Sequence, residues 1–370
     1  MDYTFTFLGL DIPIIPVAWM LAKIVVVFAG VMGLSAVLTW AERKGAALIQ
    51  DRIGPNRAKF IGNFRLFGIF HLAGDGLKLI FKEDLVPGHV SRWLFWIAPL
   101  LAFIPAMMGF AIVPFGQSFE WRDFTFHLSV IDPENGMGML YPLAIAALAV
   151  YGIFTASWAS NNKFSMLSGM RGAAHMVSYE IGLSLAVIAV FMQAGHYDPH
   201  RIIEAQTGLW NVFAQPVGFL VFLVCAFAET NRLPFDFAEG ESEIVAGFLT
   251  EFSGMKLGFL WLSEYIHLVT ISALMATLYF GGWKIPFMPD PVGLLSNWLG
   301  PWIGPWLGVL LSIAAFAAKL LAFCWFFIWV RWTLPRFRYD QLMFIGWKVM
   351  LPIGFANLLF YAWLIHRAAA

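Results

Sequence analysis

The stretch GPWLGVLLSIAAFAAKLLAFCWFFIWV, residues 304–330, indicates the fold class of this chain. Its only ionisable residue, Lys319, stands near the middle of an otherwise apolar run. A helix of about 20 apolar residues is long enough to cross the hydrocarbon core of a bilayer. The stretch therefore predicts a transmembrane helix.

The composition of the whole chain agrees with this interpretation. Of its 370 residues, 60% are hydrophobic and 17% are aromatic, and it has only 23 Lys and Arg with 23 Asp and Glu. A soluble protein of this length needs a larger polar surface. The formal net charge is zero and no segment combines dense Lys and Arg with solubility, so a nucleic-acid partner is not expected. The expected surroundings are a lipid bilayer.

Similar apolar runs recur along the sequence and predict an all-α membrane protein, with residues 1–370 forming one polytopic domain. The eight predicted spans are 17–39, 93–114, 139–160, 175–194, 212–230, 258–281, 304–330 and 345–365. The first run lacks a preceding basic region and contains Lys23, so we expect a retained helix and not a cleaved signal peptide.

The distribution of basic residues predicts the orientation. Loop 41–92 is rich in Lys and Arg and loop 331–344 carries three Arg, whereas the loops on the opposite side hold few cations. The positive-inside rule then places these two loops in the cytoplasm and both termini on the outer, periplasmic side.

The first cytoplasmic loop contains a predicted amphipathic helix. His71, Asp75, Lys78 and Lys82 follow each other at spacings of 4, 3 and 4 among apolar residues, which gives one polar stripe on a helix. The segment is too short to span, so we expect it at the membrane interface. The stripe alone suits either an ordinary solvated face or the wall of a ligand passage.

Ionisable residues inside the predicted spans are the strongest functional signal, because a charge in the hydrocarbon region is costly. Glu180 is six residues into its span, Glu264 about as far into its own, and Lys319 is near mid-span. For these three residues we expect a functional role. Lys23, Glu229 and Lys348 lie near enough to predicted ends for snorkelling to account for them. For His267, ordinary core packing is favoured over a role as a ligand.

A short acidic segment follows the fifth span. AETNRLPFDFAEGESEIVAGFLTEF, residues 228–252, holds Glu229, Asp236, Glu239, Glu241, Glu243 and Glu251, with Arg232 as its only cation. Carboxylates this close titrate as a coupled group, which suits proton handling. The same acids could instead dock a basic partner subunit.

Other patterns narrow the chemistry. The sequence has no GxxxxGK[ST], GxGxxG or HExxH motif, and its two cysteines, Cys225 and Cys324, cannot complete a four-cysteine cluster site. No cofactor is expected on this chain. Buried carboxylates and a mid-span lysine leave two active classes open: a proton-handling subunit of a larger complex, or a free-standing cation/proton secondary transporter. A purely structural anchor does not explain the charges.

Six long motifs then identify a family. AERKGAALIQDRIGPNR, FKEDLVP, SWASNNKFSMLSGMRGAAHMVSYE, AETNRLPFDFAEGESEIVAGF, EYIHLVTISAL and LPRFRYDQLM closely resemble the H subunit of bacterial respiratory complex I, the homologue of mitochondrially encoded subunit 1. The resemblance covers nearly the whole chain in the same order. It departs mainly near 115–138, 282–303 and the first 16 residues.

The resemblance implies a membrane-arm subunit of NADH:quinone oxidoreductase that forms much of the quinone-access tunnel and couples quinone reduction to proton translocation. The implied tunnel residues are Glu42, Arg43, Arg52, Asp75, Lys78, Phe235 and Arg331. The implied proton-coupling residues are Glu180, Glu229, Asp236, Glu239, Glu241, Glu243, Glu251, Glu264 and Tyr265. No role is implied for Lys319.

The resemblance also implies the surroundings of the chain. Quinone, with ubiquinone expected, is the substrate, whereas FMN and the iron–sulfur clusters belong to partner subunits. The implied partners are the quinone-site and terminal iron–sulfur subunits of the peripheral arm and adjacent small membrane subunits. The implied location is the bacterial inner membrane.

Overall fold

The apolar runs form helices, the secondary structure that satisfies every backbone hydrogen-bonding group within one membrane-crossing segment. We describe the fold from a computed structural model. The structure describes residues 4–7, 10–59, 66–121, 124–131, 137–206, 208–286, 288, 290–300 and 302–369.

Helices make up most of the described residues. They are α1 Ile14–Ile49, α2 Phe70–Phe81, α3 Arg92–Gly109, α4 Leu140–Ala159, α5 Lys163–Ala194, α6 Pro199–Ala205, α7 Asn211–Ala214, α8 Pro216–Glu229, α9 Glu241–Ile244, α10 Gly254–Tyr279, α11 Pro291–Leu299, α12 Gly304–Thr333, α13 Tyr339–Phe344 and α14 Leu351–Ala369. The described residues also include three 3₁₀ turns, Leu66–Gly68, Phe110–Ile112 and Gly247–Leu249, and a π-helical segment, Ile345–Met350. Two short antiparallel strand pairs are present, β1 Thr4–Phe7 with β2 Leu10–Pro13 and β3 Phe119–Trp121 with β4 Phe124–Phe126.

The predicted all-α membrane fold is confirmed. Within the described residues, seven helices are long and apolar enough to cross a membrane. The fifth predicted span, 212–230, forms the short α7 and the 14-residue α8. Because α8 is shorter than a full crossing requires, the number of eight spans stays a prediction, as does the side of the membrane on which the termini lie.

Two helices extend well beyond their predicted spans. α1 continues to Ile49, past the predicted end at 39, and α5 begins at Lys163, before the predicted start at 175. The side chain of Asn162 caps α5 by accepting a hydrogen bond from the backbone N–H of Phe164, and Gly195 ends the helix with a φ of 73°. Glu180 consequently lies near the middle of α5, and not six residues from its start. Hydropathy marks the apolar part of a helix but not its polar extension.

α10 is the most buried of the seven long helices and packs against α1, α3 and α12. Phe222 of α8, Met275 of α10 and Phe327 of α12 are among the fully buried side chains of the main core. Packing in this core fixes the inner faces of α8, α10 and α12. It thereby also fixes the charged side chains that these helices carry.

The amphipathic helix predicted over 71–82 is present as α2, which packs against α1 and α10. None of its side chains is buried within this chain. Its position at the membrane interface stays a prediction.

Gly152 of α4 sets the close approach of α3 and α4. A Cβ atom at this position would lie 2.6 Å from the Cα of Ala102. Replacement by any larger residue therefore forces the two backbones apart, and overpacking of this kind costs about 1–3 kcal/mol.

We predict that Gly152→Val lowers the yield of folded protein and its Tm, measured by thermal unfolding in detergent. Gly30→Val is the matched control, because a Cβ at Gly30 of α1 meets no atom within 4 Å and both substitutions place valine inside a helix. Equal Tm values for the two variants would contradict the packing argument.

Candidate functional site

Four separate parts of the chain meet at the carboxylate of Glu42. Its Oε2 accepts hydrogen bonds from Arg232 Nη1 and from the Tyr265 hydroxyl, both at 2.8 Å. Its Oε1 pairs with Arg331 Nη1 at 2.6 Å. Glu42 is 6% exposed and Arg232 is 2% exposed. We call these four residues the Glu42 cluster.

The members of this cluster come from three helices and one turn. Glu42 lies in the C-terminal part of α1, Tyr265 lies in α10, and Arg331 lies in the last turn of α12. α8 ends just before a turn in which Asn231 has a φ of 49°, and this turn directs Arg232 towards Glu42. The Arg232 guanidinium also lies 4.3 Å from the centre of the Tyr265 ring, a cation–π contact.

The charges of the Glu42 cluster depend on each other. Burial by itself would lower the pKa of Arg232, but the interactions of Arg232 with Glu42, Tyr265 and Glu264 together outweigh burial, so that pKa is raised. Arg232 therefore remains charged at any physiological pH. Its Nε and Nη2 have no hydrogen-bond acceptor within the described residues. Two guanidinium groups against one carboxylate leave an excess of positive charge beside the acidic segment.

A second group of ionisable residues lies further inside the bundle. Glu229 Oε1, at the end of α8, is 3.8 Å from His267 Nε2 of α10. Glu229 also interacts electrostatically with Glu180 of α5. The two carboxylate oxygens of Glu229 are buried and have no hydrogen-bond partner within the described residues.

A small cavity lies between Glu229 and a further carboxylate, Glu264. Its volume is about 30 Å³, and Glu229, Asn231, Ser263, Glu264 and His267 are among its lining residues. This volume suits one or two water molecules, and the lining offers the polar partners that a buried water needs. Glu264 also interacts electrostatically with Glu239, Arg232, Asp236 and Arg331, so it connects the cavity to the Glu42 cluster and the acidic segment.

The acidic segment finds its cations elsewhere in the chain. Asp236 Oδ2 pairs with Arg336 Nη2 at 2.9 Å, and Asp236 Oδ1 accepts the backbone N–H of Glu239 at 3.2 Å. Glu243 Oε2 pairs with Arg171 Nη2 of α5 at 2.7 Å. Arg232 is therefore not the only cation that balances this segment.

Glu251 has partners outside the Glu42 cluster. Glu251 Oε1 accepts a hydrogen bond from Asn162 Nδ2 at 2.8 Å and lies 3.7 Å from His89 Nε2, so it ties the segment to the turn between α4 and α5. Glu241 begins α9, but its side chain lies outside the described residues.

The predicted tunnel residues occupy two regions. Glu42 and Arg331 belong to the Glu42 cluster, whereas Arg43 of α1 and Asp75 of α2 form an exposed ion pair with an Nη1–Oδ2 distance of 2.5 Å. Lys78 is exposed on α2.

Two further tunnel candidates have separate surroundings. Arg52 is exposed and donates through Nε to Gln50 Oε1 at 2.7 Å. Phe235 is buried and stacks on Phe337 with ring centres 5.6 Å apart. The structure thus assembles Glu42 with Arg331 and Arg43 with Asp75, and it leaves Arg52 and Phe235 in contacts of their own.

The cations that hold the acidic segment, Arg171 and Arg336, were not predicted from the sequence. They lie 72 and 100 residues from Glu243 and Asp236, respectively. Both were visible in the sequence only as basic residues of loops on the same predicted side of the membrane. That shared side was the one available signal.

Lys319 has structural contacts that we did not expect. Its Nζ donates to the carbonyl oxygens of Phe280 at 2.7 Å, Gly282 at 2.8 Å and Lys284 at 2.5 Å, and it lies 4.7 Å from the centre of the Trp210 ring. An ammonium group at this place satisfies carbonyls at the C-terminal end of α10. These contacts by themselves account for a lysine in an apolar run, and the functional role expected for Lys319 stays a prediction.

No group of three or more His, Cys, Asp or Glu side chains in the described part of the chain could hold a metal ion. Cys225 and Cys324 are buried free thiols, as core packing predicts. The fold and the site define a multi-pass membrane protein with a buried ion-pair cluster where α1, α10 and α12 meet and with further carboxylates nearby.

Comparison with known proteins gives the family. The chain matches the NADH dehydrogenase family over residues 4–362. It is 43% identical to the H subunit of NADH-quinone oxidoreductase from Flavobacterium psychrophilum, over 91% of this chain and 94% of the relative. It is 41% identical to the H 1 subunit from Geobacter metallireducens, over 93% and 96%, and 42% identical to the H subunit from Flavobacterium johnsoniae, over 93% and 94%.

The chain belongs to the family of NADH-quinone oxidoreductase H subunits, which are membrane subunits of an enzyme complex. The predicted family is confirmed. Membership favours a component of a respiratory complex over the free-standing transporter that the buried charges alone left open.

The Glu42 cluster should matter for stability. Loss of one partner of a buried ion pair leaves the other charge uncompensated, which costs about 3–5 kcal/mol. We predict that Glu42→Ala strongly lowers the Tm of the purified protein. Asp340→Ala is the control, because Asp340 pairs with Arg338 at 2.8 Å on the surface and exposed pairs contribute little. A Tm loss for Glu42→Ala no larger than that of the control would show that the cluster does not hold the helices together.

Proposed function

We propose that this chain forms much of the quinone-access tunnel of a proton-pumping NADH:quinone oxidoreductase and couples quinone reduction to proton translocation. The observation that carries the proposal is the Glu42 cluster. It joins α1, α10, α12 and the start of the acidic segment through one carboxylate, so a change of charge there reaches all four parts at once.

The proposed tunnel wall lies along α1 and α2. α2 offers exposed apolar side chains, Leu77 and Ile80, together with the polar Asp75 and Lys78. A quinone has an apolar tail and a ring whose two carbonyl oxygens accept hydrogen bonds. An amphipathic wall of this kind can cover the tail and still offer donors to the ring, as ligand sites commonly do. Arg43, paired with Asp75, connects this wall to Glu42 through the adjacent position of α1.

The proposed coupling path begins at the acidic segment. Reduction of a quinone to a quinol takes up protons, and the carboxylates nearest the Glu42 cluster are the groups that can supply them. A change of charge beside Asp236 and Glu239 alters the electrostatic surroundings of Glu264. The electrostatic interactions of Glu264 with both acids and with Arg232 and Arg331 make its proton affinity depend on that event.

The path then continues inward. The cavity lined by Glu229 and Glu264 places two carboxylates around a space large enough for water, and Glu229 interacts with Glu180. Glu180, Glu229 and Glu264 thus form a series: Glu264 and Glu229 share the cavity, and Glu229 and Glu180 interact electrostatically. We propose that proton movements along this series transmit the state of the quinone to the membrane bundle.

The ion pairs of the acidic segment support coupling over simple docking. Asp236 and Glu243 pair with Arg336 and Arg171 of the same chain, so these carboxylates are already engaged without a partner subunit. Tyr265, which donates to Glu42, links the segment's first cation to α10.

The proposal also covers the substrate, the partner subunits and the location of this chain. FMN and the iron–sulfur clusters are assigned to partner subunits, with ubiquinone as the substrate that reaches this chain. The peripheral-arm quinone-site and terminal iron–sulfur subunits are proposed to cover the Glu42 side, and small membrane subunits to flank the bundle. The proposed location is the bacterial inner membrane with periplasmic termini.

The tunnel proposal predicts a selective loss of quinone reduction. Asp75→Asn removes the charge that pairs with Arg43 but keeps the size of the side chain. We expect quinone-dependent NADH oxidation to fall several-fold, while electron transfer from NADH to an artificial acceptor, which does not need the tunnel, stays near the wild-type rate. Asp340→Asn, which also removes a surface ion pair, is the control. Wild-type quinone kinetics in an assembled Asp75→Asn complex would contradict the proposal.

The coupling proposal predicts a loss of proton pumping when a buried carboxylate cannot titrate. Glu264→Gln and Glu180→Gln keep the shape of the side chain and remove its proton exchange. In assembled complexes reconstituted into vesicles, we expect both variants to pump markedly more slowly. Glu204→Gln, at an exposed glutamate of α6, should pump normally. Coupling through Glu180 and Glu264 is wrong if their Gln variants reduce quinone and pump protons at the wild-type rate.

A further inference from the structure

The first turn of α10 packs closely against the end of α2 and the segment that follows it. Gly254 has a φ of 58°, and a Cβ there would lie 3.6 Å from the carbonyl oxygen of Lys82 and 3.7 Å from that of Glu83. A Cβ at Gly258 would lie 3.1 Å from Leu79 Cδ1. Small residues on α10 therefore let this region of the first loop rest directly on the helix.

Lys256, between these glycines, fastens the same segment. Its side chain is buried, and its Nζ is 3.0 Å from Asp84 Oδ2. The Nζ also lies 3.7 Å from the centre of the Trp96 ring and 5.0 Å from that of Phe95. The contact with Asp84 is an ion pair by distance but lacks the alignment of a directed hydrogen bond. Lys256 thus binds the α2–α3 connection on one side and α3 on the other.

α2 has few other anchors within this chain. None of its side chains is buried, and its ion pair with α1, Arg43–Asp75, has exposed fractions of 52% and 43%. Exposed ion pairs contribute little to stability, whereas a cation enclosed by aromatic rings and a carboxylate interacts more strongly. The ion pair of Lys256 with Asp84, with exposed fractions of 6% and 37%, is therefore the more enclosed of these two ion pairs, and it holds the chain three residues beyond the end of α2.

We infer that Lys256 is a positioning residue of the quinone passage: by holding Asp84 against α10 and α3, it fixes α2 relative to α1. This inference rests on the proposed function, in which α2 is a wall of that passage. Lys256 itself need not touch quinone. Its effect is to keep Asp75 and Lys78 at a constant distance from α1, so that the width of the passage between α1 and α2 stays constant.

The first experiment measures whether the anchor exists. Lys256→Met keeps an unbranched side chain over Trp96 and removes the charge. In the assembled complex, we expect backbone hydrogen exchange in residues 70–91 to become about tenfold faster, because local opening becomes easier. Lys256→Arg should restore slow exchange. The control is Lys163→Met, since Lys163 is also at the start of a helix and near an aromatic ring, 5.2 Å from Phe164, but is exposed.

The second experiment measures whether the anchor serves quinone. For Lys256→Met we expect the KM for a short-chain ubiquinone to rise about threefold or more, with NADH oxidation by an artificial acceptor unchanged. Lys256→Arg should return the KM towards the wild-type value, and Lys163→Met should leave it unchanged.

The outcomes separate the two proposals. Unchanged exchange in residues 70–91 would overturn the anchoring role of Lys256. Faster exchange with an unchanged quinone KM would keep the anchor but overturn its positioning role, whereas the assignment of α2 to the passage is decided separately by Asp75→Asn. If Lys256→Met fails to assemble, Asp84→Asn removes the ion pair and leaves the ring contacts of Lys256 in place, and the same two measurements then decide.

Discussion

The buried carboxylate of Glu42 is the constraint that orders this end of the bundle. One side chain accepts hydrogen bonds or ion pairs from Arg232, Tyr265 and Arg331, which come from three different helices or helix ends. In a region with little water, two guanidinium groups are stable only if a carboxylate faces them. The C-terminal part of α1, the middle of α10, the last turn of α12 and the turn after α8 must therefore meet at one point.

The Glu42 cluster also explains why several of the few charged residues of this chain lie close together. The positive charge left over at the Glu42 cluster favours carboxylates close to it, and Asp236, Glu239 and Glu264 occupy that position. Glu264 then adjoins the cavity shared with Glu229, and Glu229 interacts with Glu180 in the centre of α5. The structural ion pairs and the proposed proton path are thus parts of one network of charged residues.

α10 has a second role in this architecture, because it contacts both the intramembrane residues and the first loop. Its first turn supports the α2–α3 connection through Lys256, its middle carries Glu264, Tyr265 and His267, and its C-terminal end is capped by Lys319. A lysine at each end of the helix is held by groups of the protein. The most buried helix of the bundle is therefore also the one that is fixed at both ends.

The fold class, the approximate helices and the family all follow from the amino-acid sequence alone. They depend on local properties. The length of an apolar run indicates a membrane-crossing helix, and the long motifs identify relatives. An amphipathic helix is indicated by the spacing of His71, Asp75, Lys78 and Lys82. Local sequence also pointed to Glu180 and Glu264, because a carboxylate within an apolar run is conspicuous wherever the helix is placed. Which charges meet, in contrast, became visible only in the folded chain. The pairing of Glu42 with Arg232 joins residues 190 positions apart, and that of Asp236 with Arg336 joins residues 100 positions apart; no local pattern encodes either distance. The same limit applies to Lys319, since the carbonyls that it caps come from another part of the chain. Hydropathy places a charge within the membrane, but its partner depends on how the helices pack.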